Sequence, residues 1–223
     1  MKNRYAISDI HGCYKTLNSL LFDKLRITKD DEIFFVGDYI DRGPRSKEVL
    51  DLLMDLKIED YNVHFVRGNH EQMMIDSMKS LSDMELWILN GCNETLNSFG
   101  VFETSEIPIK YINFINEMPN YLELDEYILV HAGLNFDIEN PLDDQTTMLW
   151  IRNSIPKKEK INNKKMIVGH TPKTIDEIVI SLKTDKITID GGCCYHHRYS
   201  SLGNLVALNI DTLELTVQKN IDL

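Results

Sequence analysis

The chain has 223 residues, of which 43% are hydrophobic, and a formal net charge of −11 at pH 7. This length and apolar content allow one sizeable core, so we expect a single domain over residues 1–223. The acidic balance argues against nucleic acid and anionic membranes as partners, because both are bound through positive surfaces. Any anionic substrate must therefore be attracted by local positive charge.

Signals for targeting and redox compartment favour a cytoplasmic protein. Residues 1–4 lead directly into a strand-like run, without the apolar stretch and small-residue cleavage site of a signal peptide. No segment approaches the roughly 18 apolar residues of a membrane span. The four cysteines, Cys13, Cys92, Cys193 and Cys194, form no CxxC pair, so we expect reduced thiols.

Five short apolar runs each end in residues that are common metal ligands. In chain order they are residues 5–7 before Asp9 and His11, 33–36 before Asp38, 63–66 before Asn69 and His70, 128–130 before His131, and 166–168 before His170. Runs of this length predict buried strands. Open α/β sheets place their sites at the carboxyl ends of strands, so we expect the functional site there.

Helical patterns at 14–25 and 46–57 separate the first three runs, which indicates βαβ units and an α/β fold. From about residue 71 to 125 the pattern is mostly helical, and we interpret this part as a small helical subdomain. The apolar anchors that we expect in it are Met73, Met74, Met78, Leu86, Trp87 and Leu89. Residues 184–223 alternate in the manner of strands, which predicts a second sheet.

The ligand-type residues suggest a site for two metal ions. Asp9 and His11 are two residues apart, so at the end of an extended strand both side chains would point to one face. Asp38 follows a glycine, and its two carboxylate oxygens suit a bridge between cations. The second site would be completed by Asn69, His131 and His170.

This set of oxygen and nitrogen ligands contains no thiolate, which argues against a closed structural zinc site. It indicates two divalent ions of manganese, iron or zinc, and manganese is the ion that we expect to support activity in vitro. Ions with open positions would lower the pKa of a bridging water and so give hydroxide at neutral pH.

Four further residues fit the chemistry of phosphate transfer. His70, if oriented by the Asp41 carboxylate, is suited to protonate a leaving oxygen as a general acid. Arg42 and Arg152 offer planar guanidinium groups that match phosphate oxygens. Neutralising the charge of the transferring phosphoryl group is the main catalytic task in such reactions.

Five ordered motifs carry a family resemblance: DIHG at 9–12, GDYIDRGP at 37–44, GNHE at 68–71, HAG at 131–133 and GHTP at 169–172. They resemble the calcineurin-like metallophosphoesterases, and more narrowly the bacterial and phage serine/threonine phosphatases of the phosphoprotein phosphatase branch. The resemblance implies a four-layer α/β sandwich flanked by helices. It also implies the following roles: Asp9, His11 and Asp38 for the first metal, Asp38, Asn69, His131 and His170 for the second, His70 with Asp41 as the acid, and Arg42 with Arg152 for phosphate.

Two more segments bear on this resemblance. The stretch WILNGCNETLNSFG at 87–100 is similar to a helical segment of the bacterial branch, with Cys92 where a second glycine is usual. Residues 190–192 resemble a turn near the end of these proteins, whereas CCYHHR at 193–198 departs from the pattern. The roles of the adjacent cysteines and of His196 and His197 therefore stay open.

The expected function is that of a phosphoprotein phosphatase acting on phosphoserine and phosphothreonine, with phosphotyrosine as a further substrate class. A metal-bridging hydroxide would attack phosphorus directly, without a covalent enzyme intermediate. One alternative is symmetrical hydrolysis of dinucleoside polyphosphates, for which we expect a longer chain. The other is a non-catalytic binding module, against which the complete set of site residues argues. The substrate would be a phosphorylated protein or a small phosphoester, and the sequence does not indicate the oligomeric state.

Overall fold

Nine strands in two sheets form the centre of the computed structural model, which describes residues 2–196 and 199–223. In chain order they are β1 (Arg4–Ile7), β2 (Glu32–Phe35), β3 (Asn62–Phe65), β4 (Tyr121–Glu123), β5 (Tyr127–Val130), β6 (Lys165–Val168), β7 (Lys186–Thr188), β8 (Asn204–Asn209) and β9 (Leu215–Lys219). The first sheet has the order β3-β2-β1-β8-β9 and the second has the order β4-β5-β6-β7. The predicted α/β class is confirmed.

Helices cover the outer faces of the sheets. They are α1 (Tyr14–Asn18), which continues as a π-helix over Ser19–Leu25, α2 (Ser46–Ile58), α3 (Asn69–Asp76), α4 (Leu81–Leu89), α5 (Cys92–Phe99), α6 (Ile109–Asn116), α7 (Gln145–Trp150) and α8 (Ile175–Ser181). None of these helices combines the length and the apolar character that crossing a bilayer requires.

The first three strands are parallel, as the βαβ pattern predicts. Ile7 of β1 pairs with Phe35 of β2, which in turn pairs with Phe65 of β3. The three strands therefore end level with one another. In the second sheet, β5 and β6 are also parallel, with Leu129 opposite Ile167. Parallel pairing explains why polar residues that follow different strands can meet at one edge.

Alternation along the strands divides the apolar side chains among three cores. Ala6 and Phe34 of the first sheet pack with Leu129 and Ile167 of the second, between the two sheets. Their neighbours in sequence point outward into cores beneath the helices: Ile7 and Phe35 on one side, Ile128 and Met166 on the other. The layers are thus helix, sheet, sheet and helix, which confirms the four-layer arrangement.

The prediction that residues 184–223 belong to a second sheet holds for β7 and is wrong for β8 and β9. β7 joins the second sheet through parallel pairing with β6. β8 instead pairs antiparallel with β1, with Leu208 opposite Ala6, and β9 follows it in the first sheet. Alternation in a sequence shows which face a side chain covers, but it does not show which strand lies alongside.

The helical part of the chain comprises α3 to α6, and β4 lies within the range 71–125 that was expected to be mostly helical. Trp87 is buried as expected, and so are Met73 and Met74. The other three expected anchors are exposed: Met78 at 47%, Leu86 at 44% and Leu89 at 84%. Because α4 is apolar on more than one face, its sequence alone did not show which face packs.

Candidate metal centre and phosphate site

The loops after β1 and β2 run side by side and hold the first site residues at fixed distances. Backbone N–H groups of Asp9, His11 and Gly12 donate to carbonyl oxygens within residues 37–39 at 2.8 to 3.2 Å. A Cβ on Gly12 would lie 2.5 Å from the carbonyl oxygen of Gly43, so the close approach requires glycine. This ladder sets the spacing between the DIHG and GDYIDRGP segments.

Six candidate site residues have left-handed backbone conformations. Their φ angles are 54° for Asp9, 46° for His11, 56° for Asp38, 71° for Asp41, 68° for Arg42 and 69° for His170. Each such conformation costs on the order of 1–3 kcal/mol outside glycine, so surrounding contacts must hold it. The argument that Asp9 and His11 share a face of an extended strand is therefore wrong, because β1 ends at Ile7. Tight turns bring both side chains to the site instead.

Glu71, for which no role was predicted, joins the loop after β2 to the start of α3. Its buried carboxylate accepts hydrogen bonds from the backbone N–H groups of Asp38, Tyr39, Ile40 and Gly68 at 2.8 to 3.3 Å. Burial and the charge of Asp38 raise the pKa of Glu71 to about 7. Glu71 is the last residue of the GNHE segment. Its structural role can be recognised only from the backbone N–H groups that it binds.

Donor atoms from both sheets meet around one oxygen of Asp38. Nε2 of His131 lies 3.3 Å from Asp38 Oδ1 and 2.9 Å from Asn69 Oδ1. Nδ1 of His170 lies 3.0 Å from the same Asn69 oxygen. When His131 is neutral, as a metal ligand has to be, its Nδ1 donates to the carbonyl of Val36 at 2.9 Å and the Nε2 lone pair faces this group. The arrangement can hold a cation, as expected for the second metal.

A second group forms at the other oxygen of Asp38. Nε2 of His11 lies 3.5 Å from Asp38 Oδ2, and its Nδ1 contacts the carbonyl of Ile40 at 2.8 Å, which orients the ring in the same way. His70 also contributes a nitrogen to this group, with Nε2 at 4.0 Å from Asp38 Oδ2. Asp38 therefore faces both groups through different oxygens, as a bridging ligand does.

Asp9 lies next to the two groups of ligand atoms around Asp38 but belongs to neither group. Its carboxylate oxygens accept the backbone N–H of His170 at 3.0 and 3.1 Å, and Ser8 Oγ donates to it as well. Burial and the nearby Asp190 carboxylate raise the pKa of Asp9 well above its ordinary value. Asp9 thus connects the end of β1 to the GHTP segment, and its role as a metal ligand stays a prediction.

Buried negative charge is the property of this site that best fits divalent cations. Five carboxylates at the site are each at most 2% exposed: Asp9, Asp38, Asp41, Glu71 and Asp190. Burying a charge costs several kcal/mol unless another charge balances it. Although burial opposes protonation of His131, the Asp38 carboxylate raises its pKa to about 10, so positive charge is strongly favoured here. Two cations match the donors and the charge.

His70 is held by a carboxylate on one side only. Its Nδ1 lies 2.6 Å from Asp41, which is fully buried. Asp41 also accepts hydrogen bonds from Trp87 Nε1 at 2.7 Å and Thr95 Oγ1 at 2.6 Å. Within residues 2–196 and 199–223, Nε2 of His70 is buried without a hydrogen-bond partner. This nitrogen can therefore either complete the group at Asp38 Oδ2 or contact a bound substrate.

The two candidate arginines differ in their surroundings. Arg42 is half-buried, with Nη1 at 2.7 Å from His11 Nε2 and its guanidinium carbon 5.5 Å from the ring centre of Tyr195. Arg152 follows α7 and is exposed. Burial, with smaller effects from the charges of His131 and Arg152, lowers the pKa of His170 to about 3. Arg42 is thus part of the site wall, whereas Arg152 is exposed and near enough for its charge to affect His170.

A cavity of about 440 Å³ opens beside Arg42. Its lining combines aliphatic, aromatic, amide and acidic groups: Arg42, Leu89, Asn90, Gly91, Glu94, Cys194 and Tyr195. The segment at 193–198, which departs from the family pattern, therefore contributes to the cavity. His197 and Arg198 of that segment lie outside the described residues.

The cysteines of this segment are poor candidates for redox chemistry. Cys193 is buried, and its pKa is raised well above the usual value by a hydrogen bond with Cys13 and by burial. Burial also raises the pKa of Cys194. All four cysteines are free of disulfides in the structure. Because thiolates are the reactive form, these positions favour inert thiols.

Oxygen and imidazole donors beside an arginine suit chemistry on a phosphate ester better than they suit a structural metal site. The fold and the site thus define a metal-dependent phosphoesterase. The chain belongs to the calcineurin-like phosphoesterase family, whose model matches residues 4–214. The resemblance of the five motifs to the calcineurin-like family is confirmed.

Named relatives include two kinds of nucleotide hydrolase. The asymmetrical bis(5'-nucleosyl)-tetraphosphatase PrpE of Oceanobacillus iheyensis is 25% identical over 219 residues, covering 87% of this chain and 86% of that protein. The symmetrical bis(5'-nucleosyl)-tetraphosphatase of Buchnera aphidicola (strain Tuc7) is 34% identical over 134 residues, which cover 59% of this chain and 44% of that protein. The chain therefore matches less than half of the symmetrical enzyme.

A protein phosphatase shares the fold. The serine/threonine phosphatase of Saccharomyces cerevisiae superposes with a TM-score of 0.69 and 17% identity, covering 100% of this chain and 81% of that chain. At this identity the likeness shows the fold alone.

We expect Asp38→Asn to lose at least one tightly bound metal ion and nearly all turnover, because a neutral amide with a single oxygen cannot bridge two cations. The apolar cores should keep the variant folded. Metal content by mass spectrometry and circular dichroism would test this, with Asp51→Asn on α2 as a matched control. Two tightly bound ions and normal turnover in Asp38→Asn would refute the bridging assignment.

We expect Arg42→Ala to weaken inhibition by inorganic phosphate by roughly 10- to 100-fold, the range for loss of a charged hydrogen bond. Arg152→Ala should have a smaller effect because that side chain is exposed. Arg45→Ala is the control, since Arg45 pairs with Glu48 on the surface. Phosphate inhibition that is unchanged in both test variants would contradict their assignment.

Proposed function

We propose that this protein is a dinuclear-metal phosphoprotein phosphatase that hydrolyses phosphoserine and phosphothreonine esters, with phosphotyrosine as a further substrate. The observation that carries the proposal is the buried His70, which Asp41 holds at Nδ1 while Nε2 faces Asp38. An alkoxide is a poor leaving group and needs a proton as it departs. A histidine oriented in this way can supply that proton.

Each residue has a defined part in the proposed reaction. Two cations, which we take to be manganese in vitro with iron or zinc as alternatives, would supply positive charge at the phosphate and lower the pKa of the attacking water. One would be held by Asp9, His11 and Asp38, and the other by Asp38, Asn69, His131 and His170.

Arg42 binds phosphate oxygens in this proposal, and Arg152 assists from the rim. Nε2 of His70 gives its proton to the departing oxygen. Asp41 stabilises the imidazolium before that transfer and keeps the ring oriented. Direct attack by water requires no covalent intermediate with the protein. Arg42 and the two cations would together neutralise the charge on the phosphoryl group.

The cavity beside Arg42 supports a substrate larger than phosphate itself. Its volume of about 440 Å³ falls within the range of ordinary ligand pockets. Leu89 and Tyr195 offer apolar and aromatic surface, and Glu94 places a negative charge at the same opening. Such a lining suits a peptide that carries the phosphorylated side chain.

The second candidate function is hydrolysis of dinucleoside polyphosphates. The observation in its favour is the relative PrpE, which is named for that activity and matches this chain over most of both lengths. The chain-length argument concerned the symmetrical type, and it does not apply to an asymmetrical enzyme of this length. In that reaction the leaving group is a nucleotide phosphate, which departs with little need for a proton.

A turnover panel with the manganese-loaded protein distinguishes the candidates. We expect kcat/KM for phosphoserine and phosphothreonine peptides to exceed that for diadenosine tetraphosphate. Faster cleavage of the dinucleotide than of every phosphopeptide would establish the second function, and the nucleotide products would show whether cleavage is symmetrical. No turnover of any substrate by the metal-loaded protein would favour a non-catalytic binding module.

We expect His70→Asn to slow phosphoserine turnover by about 10² to 10⁴, the usual contribution of general acid catalysis. The loss with p-nitrophenyl phosphate should be clearly smaller, because nitrophenolate leaves without a proton. Metal content must be measured in the variant, since Asn69 is adjacent. If both metals remain and both substrates slow equally, His70 positions phosphate or metal and is not the acid.

A further inference from the structure

We propose that α4 and α5 belong to the catalytic machinery, with Trp87 and Thr95 as positioning residues for the general acid. They act through Asp41, and the inference rests on the proposed acid role of His70. The sequence placed these helices beside the sheet without a part in the reaction. Their hydrogen bonds with Asp41, the partner of His70, indicate that they have such a part.

Trp87 contributes one polar atom, and that atom is aimed at Asp41. The indole is fully buried, and its Nε1 donates to Asp41 Oδ2 at 2.7 Å. The same oxygen lies 2.6 Å from Nδ1 of His70. Indole and imidazole therefore share one carboxylate oxygen. A wholly apolar side chain at this position would pack between the helices equally well, so packing does not explain the indole N–H.

Thr95 holds both the side chain and the backbone of Asp41. Its Oγ1 donates to Asp41 Oδ1 at 2.6 Å and accepts the Asp41 backbone N–H at 2.9 Å. That backbone has a φ of 71°, an unfavourable conformation for a residue other than glycine. One residue further on, the N–H of Arg42 contacts the carbonyl of Gly91 at 3.3 Å. Groups from α4, α5 and the turn between them thus fix the whole Asp41–Arg42 segment.

The direction of the Asp41 carboxylate determines where Nε2 of His70 lies. With donors at both oxygens, the carboxylate cannot rotate without losing a buried hydrogen bond. A displacement of about 1 Å at a reacting group can lower a rate by about 10². Loss of Trp87 Nε1 or Thr95 Oγ1 should therefore affect proton transfer to the leaving group more than it affects phosphate binding.

Two substitutions test this inference, each with a matched variant. Thr95→Val removes the hydroxyl while keeping the shape, whereas Thr95→Ser keeps the hydroxyl. Trp87→Phe removes the donor, and its control is Tyr111→Phe, which deletes another buried aromatic donor to a carboxylate, Asp51, at 2.7 Å. All are compared for thermal stability, metal content, and kcat on a phosphoserine peptide and on p-nitrophenyl phosphate.

We expect Thr95→Val and Trp87→Phe to slow phosphoserine turnover by about 10-fold or more, with a clearly smaller loss for p-nitrophenyl phosphate. Thr95→Ser should restore most of the phosphoserine rate. Tyr111→Phe should lower stability without changing the ratio of the two rates. When Asp41→Asn is already present, adding Trp87→Phe should lower the phosphoserine rate only slightly further, because both changes disturb the same acid.

Other outcomes overturn the inference in distinguishable ways. If His70→Asn shows leaving-group selectivity but Thr95→Val and Trp87→Phe slow both substrates equally, the helices are structural and the acid assignment stands. If the double variant Asp41→Asn/Trp87→Phe loses rate by the full product of the two single losses, Trp87 does not act through Asp41, and the helices are again structural. If His70→Asn itself shows no selectivity, the acid role and this inference fail together, whereas the metal assignments are judged by the Asp38 variant.

Discussion

The buried carboxylate of Asp38 is the group on which the rest of this structure depends. Its Oδ1 faces His131 from the second sheet, and its Oδ2 faces His11 from the first. Its backbone N–H is bound by Glu71 at the start of α3. A charge that lies 2% exposed among other carboxylates is costly unless positive charge and N–H groups surround it. The need to balance that charge accounts for the convergence of strand ends from two separate sheets.

Holding this charge in place requires a strained backbone, and the strain is concentrated at the site. Residues with left-handed backbones lie in the loop after β1 and in the loop after β2. Hydrogen bonds with side chains that do not touch substrate in our proposal hold these residues in place. Glu71 accepts hydrogen bonds from the backbone N–H groups of residues 38–40, and Thr95 accepts one from the N–H of Asp41. Favourable contacts in the surrounding fold thus offset the cost of the strained turns. Preorganised donors of this kind do not have to rearrange as charge develops during the reaction.

The chemistry of the leaving group separates the two candidate functions more clearly than the metal ligands do. Both reactions need cations and an arginine at phosphorus, so relatives with either activity can share these residues. A phosphoserine alkoxide requires a proton, and in our proposal His70, held by Asp41, gives one. In the same proposal, the cavity beside Arg42 receives the group that is attached to the phosphate. Groups of α4 and α5 contact Asp41, and residues of both helices and their connecting turn line that cavity. If the proposal is right, this part of the chain therefore links acid catalysis to substrate choice.

The sequence by itself determined the features that depend on neighbouring residues. Apolar runs followed by ligand-type residues predicted the strands and their functional ends, and helical spacing predicted the βαβ units. Tertiary structure decided what depends on distant pairs: the place of β8 beside β1, the turns that replace an extended strand at Asp9 and His11, and the donors around Glu71. Trp87 and Asp41 are 46 residues apart, and no local pattern connects them. Periodicity and adjacency are properties of a chain segment, whereas a buried hydrogen bond exists only after the segments have packed together.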